Sequence, residues 1–134
     1  MNVLTHWLYT KLAWNPYEDV DGLIADFCDK VFGDAAEDMK EYYSLLQQSW
    51  AFGSEAITYE YNMENYYGTG PDIYYNFFMD VENDDGVHFL SAMRNALNAA
   101  WEKADDRAKV HIRYIKEVYD TAEELIPNLS PVYE

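Results

Sequence analysis

The side chains able to do chemistry in this chain are three histidines, one cysteine and 25 carboxylates. His6, His88 and His111 stand apart from one another, and no HExxH pair places two imidazoles on one helix face to hold zinc. Asp85-Gly86-Val87-His88 has the carboxylate-x-x-His spacing of bundle di-metal sites. Such sites need a second pair and two further carboxylates on facing helices, and the sequence has no second pair. No metal or other cofactor is therefore expected. Cys28 has no histidine near it in sequence to make it a nucleophile. It falls instead on the apolar stripe of a helix, where a free cysteine packs as a small hydrophobe. GxSxG, the P-loop and GxGxxG are all missing.

Two carboxylates could cleave a glycosidic bond if both lined one cleft. Asp26, Asp29, Glu37, Asp38, Glu117, Asp120, Glu123 and Glu124 fall on the polar faces of amphipathic helices, which makes them solvated surface. No catalytic residue is expected. Aromatic residues supply the remaining candidates. Tyr66-Tyr67 and Tyr74-Tyr75 flank a Gly68-Thr69-Gly70-Pro71 turn. On an exposed loop these four tyrosines could stack on sugar rings or on a partner; they could equally close the open end of a core or pack on another domain.

Helices must position these groups. Leu4, Leu8 and Leu12, with Val3, Trp7 and Trp14 beside them, predict a first helix from Asn2 to Trp14, ended by Asn15-Pro16. Val20, Leu23, Ile24, Phe27, Cys28, Val31 and Phe32 predict a second, with Asp19 as its N-cap and Gly33 as its stop. Asp34-Ala35-Ala36-Glu37 has the form of a capping box opening a third helix with Met39, Tyr42, Tyr43, Leu46 and Trp50 inward, ending near Phe52-Gly53. Residues 53–85 are an aromatic-rich insertion with a weak strand pattern at Ala56–Tyr61 and a short helix from Pro71 to about Met79. A fourth helix spans about Gly86–Lys103. A fifth spans about Arg107–Ile126, and the short link between them predicts an antiparallel hairpin. The expected architecture is one all-α domain over 1–134, with five main helices plus one short helix in mostly antiparallel, bundle-like packing.

The formal net charge of −16 argues against nucleic-acid and anionic-membrane partners, because little in the chain could neutralise phosphates. No apolar run is long enough to span a membrane. The N-terminus lacks a basic start and a small-residue cleavage site. One cysteine allows no internal disulfide.

Leu8-Tyr9-Thr10-Lys11-Leu12-Ala13-Trp14-Asn15-Pro16, then Asp19-Val20-Asp21, then Phe27 through Ala36 form a K-L-x-W-[ND]-P, D-x-D, [YF]-G-x-A-A pattern. This run resembles the C-terminal helical region of a large family of unknown function related to α-glucuronidase-like glycoside hydrolases. Residues 8–43 carry the resemblance well, residues 90–119 loosely, and the aromatic segment not at all. It implies a (β/α)-barrel bearing the catalytic carboxylates elsewhere in a longer protein that is often exported, so no catalytic residue carries over. Trp14, Pro16, Phe27, Gly33 and Ala36 match the pattern in structural roles.

The expected function is thus a non-catalytic accessory domain of a carbohydrate-active enzyme. Its partners would be the missing barrel or a second copy, with carbohydrate as a further ligand. Helix one begins directly at Met1, as a cut end would, so Trp7 and Trp14 are expected to mark the interdomain face. The alternatives are a stand-alone acidic interaction module or nucleic-acid mimic, and a small enzyme with a pocket near Tyr66–Phe78.

Overall fold

A computed structural model describes residues 3–60 and 83–125. The chain is all-α: α1 (Val3–Trp14), α2 (Val20–Phe32), a 3₁₀ turn (Gly33–Ala35), α3 (Ala36–Glu60), α4 (Phe89–Lys103) and α5 (Asp106–Leu125). The short helix expected after Pro71 lies outside the described residues.

The stripe on α2 packs as its periodicity predicts. Phe27, Cys28 and Phe32 are buried, with Ile24 and Val31 against them. Gly33 then turns the chain at φ 53°, in the region that side chains disfavour, so α2 leads into α3 through three residues. Met39, Tyr42, Tyr43 and Leu45 of α3, with Phe89, Leu90, Met93, Leu97 and Ala100 of α4, form the centre of the core. Ala108, Ile112 and Tyr119 of α5 complete it. The contacts Trp101–Lys109, Asn98–Lys116 and Met93–Tyr119 pair ever earlier residues of α4 with ever later ones of α5. These two helices therefore run antiparallel.

Several local expectations need correction. The third helix does not stop at Gly53 but continues to Glu60, and the weak strand pattern from Ala56 is helical through that point. A helical glycine costs only about 1 kcal/mol, and no proline interrupts the turns around it. The capping box at Asp34 does not form: a 3₁₀ turn intervenes and Glu37 accepts a hydrogen bond from Lys40 instead. Asp19 caps α2 by position and makes no side-chain cap bond, its carboxylate lying over Gly22. Asp38 is not simply solvated. It is largely buried, and Lys103 Nζ lies 2.8 Å from its Oδ2, tying α3 to α4.

The junction before α5 is a side-chain cap. Asp105 Oδ1 accepts from the Ala108 backbone N–H at 2.8 Å, satisfying a donor that the first helical turn would leave open. Asp105→Ala should cost about 1 kcal/mol of unfolding free energy, read as a lowered denaturant midpoint at unchanged slope.

Candidate functional site

α1, α2, α3 and α5 enclose an open groove of about 500 Å³. Its floor is aromatic. Phe27, Phe32, Tyr43, Tyr42 and Tyr119 form a chain of ring contacts, with Phe27–Phe32 at 6.0 Å, Tyr42–Tyr43 at 5.1 Å and Tyr42–Tyr119 at 6.1 Å between centroids. The His111 ring meets the edge of Phe32 at 90°. Most of these pairs adopt the tilted or edge-to-face geometry that aromatic quadrupoles favour. Val3 on one side and Tyr114 and Val118 on the other line the rim, and all three are exposed.

Burial sets the chemistry of the floor tyrosines and of the Cys28 thiol near Tyr43. It pushes the Cys28 thiol up to about 12, overcoming the lowering influence of Lys40. It raises the phenols of Tyr42, Tyr43 and Tyr119, and in Tyr119 the neighbouring Tyr42 adds to the effect. The Tyr119 hydroxyl lies 3.1 Å from the Met93 sulfur and is also hydrogen-bonded to Tyr42. All four groups stay protonated at neutral pH, so none serves as a nucleophile or general base. Among the described residues no three His, Cys, Asp or Glu side chains gather as a metal site. The groove can take up an apolar surface.

Tyr66, Tyr67, Tyr74 and Tyr75, the candidate stacking residues, lie outside the described residues. Trp7 and Trp14 are separated in environment. Trp7 is half-buried, 5.5 Å from the Phe27 ring, with the Lys11 ammonium near its face. Trp14 is 93% exposed. Trp7 therefore holds α1 to α2, and Trp14 alone of the pair stands on a free face. Asp85 and His88 lie on the turn before α4, which the Asn83 side chain fixes by accepting from the backbone N–H groups of Asp85 and Val87.

Sequence reasoning recorded Tyr42 and Tyr43 only as inward positions and missed that they share one groove floor with Tyr119. It also missed Val110, Tyr114 and Val118, whose four-residue spacing was visible beside the buried stripe. Compared with protein-family models, curated proteins and solved structures, the chain shows no match.

Proposed function

We propose that this chain is a non-catalytic helical docking domain, a mostly antiparallel bundle that presents apolar surface to another protein domain. The resemblance supplies the partner: the barrel of a carbohydrate-active enzyme. The observation that carries this reading is the character of α1. Its apolar residues Val3, Leu4, Trp7, Leu8, Leu12 and Trp14 span about half the helix circumference at 100° per residue. Only Leu4 is buried outright, with Trp7 and Leu8 packed against the core. Val3, Tyr9 and Trp14 are exposed, as are Tyr17 in the turn after α1 and Val20 at the start of α2. A helix apolar over so wide an arc suits contact on more than one side, and among the described residues its main neighbour is α2. Glu18, Asp19 and Asp21 follow Tyr17 in the chain, so Trp14 and Tyr17 have carboxylates as sequence neighbours.

A photo-crosslinking amino acid placed at Trp14 in cells of the source organism tests this. The expected result is a covalent adduct with a carbohydrate-active enzyme or its barrel domain, not seen when the crosslinker is placed at Glu41. Adducts shared by both positions, or none from position 14, would exclude the reading. The acidic interaction module is the second reading, supported by the net charge of −16. It predicts crosslinks from position 41 to a basic protein instead.

A further inference from the structure

α5 carries two apolar stripes. The inner one, Ala108, Ile112, Ile115 and Tyr119, belongs to the core or packs on it. The outer one, Val110, Tyr114 and Val118, repeats every four residues and is exposed. Each step of four advances the helix by about 6 Å, so the stripe runs roughly 12 Å along solvent.

The charge around this stripe sets it apart. In a chain of net −16, Arg107 and Arg113 stand against Asp106 and Glu117 beside the stripe, which is balanced, while Lys109, Lys116 and Asp120 lie toward α4. The order is also polarised. After Asp106 the bases come first, and acids follow from Glu117 onward. The ionic contact from Arg113 Nε to Glu117 Oε1 is long at 3.8 Å.

A stripe centred on Tyr114, with Val110 four residues before and Val118 four after, maps onto itself when the helix is turned end for end. Arg113 and Glu117 sit on one side of the stripe at 100° per residue, so the turn brings the base of one copy near the acid of the other. A two-fold axis at Tyr114 sets Val110 against Val118 of the partner subunit and Arg113 beside Glu117 of the partner subunit. A parallel pairing would bring like charges together. Elsewhere two such acidic chains repel, so this near-neutral face is where they approach at least electrostatic cost.

We propose that the outer face of α5 is a self-complementary contact, through which two copies of the chain pair antiparallel about a two-fold axis at Tyr114. A second copy roofs the rim formed by Tyr114 and Val118. The contact is centred on α5; across the groove it adjoins Val3 of α1, and it does not depend on what covers Trp14. One helix face belongs to the small class of interfaces, below about 1,200 Å², so association is weak and shows at high protein concentration.

Sedimentation equilibrium of the full chain over a wide concentration range tests the pairing. A monomer–dimer equilibrium is expected. Val118→Asp should weaken it at least about tenfold, with thermal melts confirming that the exposed substitution leaves the fold intact. Arg113→Glu and Glu117→Arg should each weaken it, and the double variant should restore it, because the pair re-forms across the axis in the opposite sense. Tyr114→Cys should yield disulfide-linked dimers faster than Tyr9→Cys, since a residue on the axis meets its own copy. A strictly monomeric chain overturns the proposal. So does a dimer indifferent to Val118→Asp, a double variant as weak as the singles, or preferential crosslinking through position 9.

Discussion

Above about pH 10 the protein should unfold cooperatively, with helix loss and tyrosine ionisation tracking one another. Cys28, Tyr42, Tyr43 and Tyr119 are all held protonated by burial, Cys28 up to about 12. In the unfolded chain a thiol ionises near 8.5 and phenols near 10. Between the unfolded and folded values the native state keeps a proton that the unfolded state has lost. Stability therefore falls as pH rises through that window, and it is fully present below it. Each group contributes a slope of about 1.4 kcal/mol per pH unit. With four such groups, a domain of ordinary stability, about 5–15 kcal/mol, is exhausted within one or two units of pH 10. Circular dichroism and absorbance near 295 nm, followed together in a pH titration, give the test. Gradual phenol ionisation with helix retained to pH 12 would mean that the groove floor admits hydroxide without opening.

The largest single-residue effect is expected at Phe32. It is 2% exposed, and its ring touches those of Phe27, Tyr43 and His111, so α2, α3 and α5 meet on it. Phe32→Ala removes the ring from the point where three helices converge and leaves a cavity beside an open groove. The expected cost is about 3–5 kcal/mol, a large fraction of total stability. Trp14→Ala removes a larger ring from solvent and should change stability by no more than about 0.5 kcal/mol. Urea titrations of the two variants, side by side, separate a residue that holds the fold from one that faces a partner. A loss below 1 kcal/mol at Phe32 would place the core elsewhere.

Much of the fold was legible because local signals agreed with packing. The α2 stripe predicted Phe27, Cys28 and Phe32 as core, Gly33 predicted the stop that its positive φ provides, and the short link after Lys103 predicted the antiparallel pairing of α4 and α5. The misreadings share a cause. Gly53 was given the weight of a stop, although a single glycine in a long helix is a modest cost set against packing that sequence does not display. The Asp38–Lys103 pair joins residues far apart in the chain, and no local rule brings them together. The aromatic groove was hidden for the same reason. Tyr42 and Tyr43 on one helix and Tyr119 on another look like ordinary core positions until the helices meet. On α5 the inner stripe satisfied the expected period, so the outer one at Val110, Tyr114 and Val118 went unweighed. Catalytic chemistry was sought among carboxylates and histidines, whereas the groups most altered by the fold are phenols and a thiol that it silences.

Cys28 also has a kinetic meaning. It is the single thiol of the chain, 0% exposed and raised to about 12. A thiol-modifying reagent reaches it only in molecules where α2 has swung away from α3, and it then traps them. The chain thus carries its own clock for transient opening, and the rate at which the reagent is consumed at neutral pH counts those excursions one molecule at a time.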